Sequence, residues 1–346
     1  SAMRASDATG AGEASLHVPQ LRNDLAFRSN LGFAEVSGGS GAVAWSLYDE
    51  RGLPIEEGSA QISAWGHLQV PLLGGSAGAH HRVVRAVVRA TGSARILAYG
   101  SAVDNQTGDS IFIPGRRSWS DPARHVPAVI RGDGAAGTRW RSDLWISNLS
   151  DREGNFRLTW FPRGVPAVER DLALAAGASL SYEDVLSTLF GATAGTGQLR
   201  VATDLPAWVA SSRAWSAAQL GTYGQWMPAL APPDAVGAGE GRLAILQLVN
   251  DDRFRTNLGL TEIGGLPARA TIRVADATGR EVWALPVELA PREQRQISLV
   301  AAGAPEFSNG YAWIEPEGAG RIVAYGSVVD NVSGDPIYVP AVRLND

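Results

Sequence analysis

The chain contains no cysteine, which excludes disulfides, a thiol nucleophile and thiolate metal sites. Lysine is also missing, so all 30 basic residues are arginine. Histidine occurs 5 times, at His17, His67, His80, His81 and His125, and never beyond that point. No nucleophile elbow, metalloprotease helix motif or phosphate loop is present. Gly38-Gly39-Ser40-Gly41 is followed by no Lys-Ser or Lys-Thr and reads as a loop. No apolar run approaches the roughly 20 residues that a membrane helix needs. Cations are not in surplus: the net charge is −5 at pH 7, against the basic face that nucleic-acid binding uses to release counterions. What the chain does have is 45% hydrophobic and 19% charged residues over 346 positions. That composition belongs to a folded protein with two or three cores.

The chain also repeats itself. AYGSAVDNQTGDSIFIP, Ala98 to Pro114, returns as AYGSVVDNVSGDPIYVP, Ala324 to Pro340. FRSNLGF at Phe27 returns as FRTNLGL at Phe254, and halfway between them Trp140 opens WRSDLWI. Three units of about 113 residues follow, the middle one diverged. The expected division is an expression-tag remnant and loose leader over residues 1–15, then units at 16–115, 124–230 and 242–344. A linker, APPDAVGAGEG from Ala231 to Gly241, precedes the third unit.

Local signals within a unit are those of strands. Val43-Ala44-Trp45-Ser46-Leu47-Tyr48 is rich in strand formers and ends at the turn Asp49-Glu50-Arg51-Gly52. Arg82 to Arg89 has helical spacing, but its counterpart in the third unit carries Pro316, so both are expected to be strands. A short helix is expected at Tyr182–Phe190. In Ile96-Leu97-Ala98-Tyr99-Gly100-Ser101-Ala102, small residues alternate along one face, which predicts close packing there. The fold class is all-β, three tandem immunoglobulin-like β-sandwiches. The alternative is a six-bladed β-propeller with two blades per unit.

The early RTNLG and late YGSVVDNVSGDP elements resemble a family of tandem extracellular β-sandwich repeats of bacteria that carry RTNLG early and YGSVVDN-x-TGDP late. The resemblance covers the first and third units well and the second weakly. It implies an extracytoplasmic setting (secreted, periplasmic or cell-surface) and no known activity.

Candidate sites are few. Asp104, Asn105 and Asp109, with their twins Asp330, Asn331 and Asp335, gather oxygens of the kind calcium takes. The spacing is not that of an EF-hand loop, and it reads first as an Asx-stabilised turn. The middle unit has no carboxylate at this place. Tryptophan is concentrated in the middle unit, where Trp215, Tyr223 and Trp226 flank its variant hairpin and could stack on a sugar or a partner. Trp140 and Trp208 align with Phe27 and Ile96 and are expected in the core. Arg82, Arg85 and Arg89, with Arg95, form a basic cluster that reads as a solvated face or a site for an acidic partner or an anionic glycan. The expected function is a non-catalytic structural or interaction protein, with no required cofactor, that contacts another protein or a cell-surface glycan. A carbohydrate-binding protein using the middle unit is the alternative, and a sandwich or propeller hydrolase stands behind it.

Overall fold

The computed structural model describes residues 3–75 and 80–344. The first set of strands is β1 (Leu16–Asn23), β2 (Phe27–Glu35), β3 (Gly41–Tyr48), β4 (Pro54–Ile62), β5 (His67–Pro71), β6 (His81–Ala90), β7 (Ile96–Asp104) and β8 (Ser110–Pro114). They form two antiparallel sheets ordered β1-β6-β3-β4 and β5-β2-β7-β8.

The next set is β9 (Ala123–Asp133), β10 (Arg139–Asn148), β11 (Gly154–Pro162), β12 (Val168–Leu174), β13 (Ser179–Tyr182), β14 (Gly195–Thr203), β15 (Trp208–Ala217) and β16 (Thr222–Pro228). It repeats both orders, as β9-β14-β11-β12 and β13-β10-β15-β16, with a β9–β10 pairing joining the two sheets. The last set is β17 (Arg242–Asn250), β18 (Phe254–Glu262), β19 (Ala268–Asp276), β20 (Glu281–Leu289), β21 (Gln294–Ser298), β22 (Phe307–Gly318), β23 (Ile322–Asp330) and β24 (Pro336–Pro340). It runs β17-β22-β19-β20 and β21-β18-β23-β24, and a final β25 (Val342–Leu344) pairs with β17.

Each unit therefore interleaves two sheets along the sequence, since its first strand pairs with its sixth. A propeller blade is built from consecutive strands, so the six-bladed alternative is wrong and the sandwich is right. The Arg82–Arg89 segment lies in β6, as the proline in its counterpart indicated, and the short helix is α1 (Val185–Thr188).

The two sheets of a unit close on each other. In the first unit Leu16, Val18 and Leu21 of β1 meet Leu31, Phe33, Ala98 and Ile113 of the facing sheet, all fully buried. The small-residue face of β7 points into this gap. A Cβ on Gly100 would stand 2.5 Å from Leu21, and one on Gly326 would stand 2.9 Å from Ile245. The opposing strand approaches too closely for any side chain at those positions.

The leading strand of each unit carries a register break at the same place. It falls at Pro19–Gln20 in β1, Pro127–Ala128 in β9 and Leu246–Gln247 in β17. Gln20 and Gln247 take positive φ of 63° and 57° there, one way a bulge redirects a strand, whereas Pro127 and Ala128 do not.

Residues 4–15 are not a loose leader. Ala8 and Thr9 are buried, Thr9 bridges to Ile96, and Glu13 forms a salt bridge with Arg95. In the third unit Val236 bridges to Ile322 and Glu240 pairs with Arg321. DATGAGE at Asp7–Glu13 and DAVGAGE at Asp234–Glu240 are the same packed element. Seven residues rich in Gly and Ala look like linker composition, which hid the match.

Candidate functional site

The repeated motif is explained by contacts within a unit. Tyr99 pairs with Gly32 across β2 and β7, and Tyr325 with Gly259 across β18 and β23. Each tyrosine ring lies flat over its glycine: a Cβ would stand 2.0 Å from the Tyr99 ring and 2.1 Å from that of Tyr325. The arginine of the early element reaches the asparagine of the late one. Arg28 Nη1 donates to Asn105 Oδ1 at 2.8 Å, and Arg255 Nη1 to Asn331 Oδ1 at 2.8 Å. Thus the two halves of the motif recognise each other. The asparagine oxygen that was a candidate metal ligand faces a guanidinium.

The aspartates of the turn serve a different purpose. Asp104 Oδ1 accepts from the amides of Gln106 and Thr107, closing the Asx turn that the spacing suggested. Its other oxygen leaves the unit and accepts from Thr222 N at 2.9 Å and Thr222 Oγ1 at 2.8 Å. Burial pushes the Asp104 carboxyl up, but these donors outweigh it and hold it below the usual carboxylate range. Asp109 Oδ2 accepts from Gly224 N at 2.8 Å and from Arg213 Nη2 at 3.5 Å. The middle unit lacks carboxylates in its own hairpin because that hairpin supplies the donors.

Arg213 lies at the meeting point of all three units. It is 4% exposed, packs over the Phe27 ring and bonds Thr222 Oγ1. A Cβ on Gly224 would stand 2.6 Å from its Nε, so that glycine makes room for the guanidinium. Burial pulls the Arg213 pKa down and pushes that of Asp109 up, despite their mutual attraction. Asp335 of the third unit is raised to about 6, first by burial and then by Asp109, while Arg213 draws it down. Asp143 is buried and raised to about 7, although Trp215 Nε1 donates to it at 2.8 Å. Desolvation therefore exceeds attraction at Asp109, Asp143 and Asp335, though not at Asp104, which points to a device that fixes how the units dock more than to a source of stability.

The tryptophans go to the same junction. Trp226 is 7% exposed, belongs to the core of the first unit, and makes an edge contact with Tyr338 of the third at 6.4 Å between centroids. Trp215 is half-buried on Asp143, and Tyr223 is half-buried in β16. Trp208 is fully buried, as expected from its alignment. Trp140 is not in the core: it is half-buried and lines a cavity of about 340 Å³ between the second and third units, with Arg255, Asn257 and Tyr325.

The arginine cluster is divided. Arg82 and Arg89 are exposed, but Arg85 is buried, donates to Gly177 O at 3.2 Å and stacks on Tyr48. Burial lowers its pKa to about 10. Arg95 is taken by Glu13. The structure does not form these residues into one basic patch.

The second and third units are joined by a chain of hydrogen bonds that the sequence did not flag. Gln198 Nε2 donates to the carbonyls of Glu262 and Arg292, at 2.6 and 2.7 Å. Its oxygen is therefore left to accept from His125 Nδ1 at 2.8 Å, which places the proton of the neutral imidazole on Nδ1. Burial lowers the His125 pKa to about 4. Thr261 Oγ1 donates to Pro127 O at 2.9 Å across the same seam, and Ser211 Oγ bonds Gln20 Oε1 at 2.8 Å across the other. These polar residues carry no motif. Their only sequence signal is an uncharged polar side chain within an apolar strand.

No family model and no curated protein matches the chain. Solved structures with partial likeness include Thermotoga maritima 1070, at 14% identity and TM-score 0.27, covering 32% of this chain and 96% of that one. A tetra-tandem repeat in the extending region of a large adhesion protein aligns at 14% identity and TM-score 0.16, covering 91% and 70%. Dimeric latent PorU from Porphyromonas gingivalis aligns at 12% identity and TM-score 0.17, covering 96% and 34%. Superpositions this loose carry no argument about activity.

Proposed function

We propose that this protein is a non-catalytic, extracytoplasmic structural or interaction protein, a stiff array of three sandwiches that contacts a protein or a cell surface. The observation that carries this reading is the use made of Asp104, Asp109, Arg213 and Trp226. These residues have the chemical character of a site, and all four are spent on joining units. The carbohydrate alternative loses its platform at Trp226, which is covered by its neighbours.

The test has two parts. Protease applied to intact producing cells should degrade the protein. The purified chain should turn over no ester, glycoside or peptide substrate. Protection inside intact cells, or turnover that disappears when Asp143 becomes Asn, would overturn the proposal.

A further inference from the structure

The two seams between units follow one rule. The bulge of a leading strand packs against the outer face of the second sheet of the next unit. Pro19 and Gln20 are buried against β15, where Gln20 meets Ser211. Pro127 and Ala128 are buried against β18, where Pro127 meets Thr261. The same two surfaces exist once more, and both are uncovered. In the third unit the bulge residue Leu246 is 52% exposed, and Gln247 is exposed beside it.

Equivalent residues at the two ends of the chain have opposite exposure. Ile111 of β8 is 5% exposed, in the core that Trp226 of the following unit joins, whereas its twin Ile337 is 61% exposed. Conversely Tyr338 is 9% exposed and its twin Phe112 is 37% exposed. Tyr325 is covered by the preceding unit, whereas Tyr99 is half-exposed in a stack with Phe112 at 5.0 Å and His67 at 6.1 Å. One end presents an unused bulge, the other an unused aromatic face.

We propose that a second copy of this chain docks head to tail, its Leu246–Gln247 bulge against the His67–Tyr99–Phe112 face. The occupant is identified by continuity: both internal seams already join these two surfaces. Such an interface is heterologous, and it extends into an open chain of copies or closes into a ring according to its rotation. This deepens the scaffold reading and rests on it, turning an array within one molecule into an assembly of molecules. A chain that stays single would overturn the docking and leave the extracytoplasmic, non-catalytic reading intact.

The experiment is sedimentation velocity on the full chain from low micromolar to near-millimolar concentration, with the exposed substitutions Leu246→Arg and Phe112→Arg. Circular dichroism and melting checks that each variant is folded. The wild type should grow in mass with concentration, and each variant alone should associate at least about tenfold more weakly. An equimolar mixture of the two variants should give a two-chain species, because one intact bulge and one intact face remain. A wild type of single-chain mass throughout overturns the proposal. So does a mixture that stays single, since that marks a symmetric or unrelated contact.

Discussion

At the residue scale, identical motifs are placed in different surroundings, and this makes their energetics testable. Gly259 lies under a tyrosine clamped between units, and Gly32 under one that is half free. Gly259→Ala should cost about 1–3 kcal/mol as an overpacked core does, read as a lowered Tm. Gly32→Ala should cost less, because Tyr99 can swing toward solvent. Buried titrating groups give a second prediction. His17 and His125 have folded pKa values of about 3 and 4, below their unfolded value, because burial disfavours the cation. They bind fewer protons when folded, so the stability they confer is full above about pH 6.5 and lost as pH falls toward those values. Asp143 is opposite. Its folded pKa of about 7 lies above the unfolded value, so the folded chain binds more protons and stability declines as pH rises from about 4 to 7. His125→Gln should flatten the acid limb of a Tm-against-pH curve, and Asp143→Asn should remove the decline toward neutrality. Identical curves for both variants and wild type would contradict these assignments.

At the element scale, the turn between the last two strands of a unit has two jobs in the first unit and one in the third. Asp104 caps its own turn and holds Thr222, whereas Asp330 caps Val332 and Ser333. Asp104→Ala should therefore lower the Tm more than Asp330→Ala, by about 1–2 kcal/mol of extra hydrogen bonding to a charged group. Excess calcium or a chelator should leave the melting midpoint unmoved, given that Asn105 and Asn331 face arginine; a rise with calcium would restore the metal reading. Much of this was legible. The strand reading of Arg82–Arg89, the turn, and the close approach at Gly100 followed from spacing and from comparing copies. The packed element at Asp7–Glu13 was not, because glycine and alanine carry little periodic signal. Nor was Arg213: a single arginine in a strand gives no sign that Asp109 of another unit meets it. Glu35 and Glu262 were equally silent, although their carboxylates gather loop amides at the end of β2 and β18.

At the scale of the whole molecule, the middle unit, the divergent copy, meets a described neighbour on each side. Its hairpin gave up the aspartates and gained Thr222, Gly224 and Trp226, which face the first unit and the third. A chain of independent beads would need none of these. The central claim is that the three sandwiches behave as one body fastened through Arg213, and differential scanning calorimetry of the intact chain tests it most directly. The account predicts a single endotherm whose calorimetric and van't Hoff enthalpies agree. Arg213→Met, which strands buried carboxylates at a cost of about 3–5 kcal/mol, should broaden or split it. Three separate transitions in the wild type, unmoved by that substitution, would contradict it.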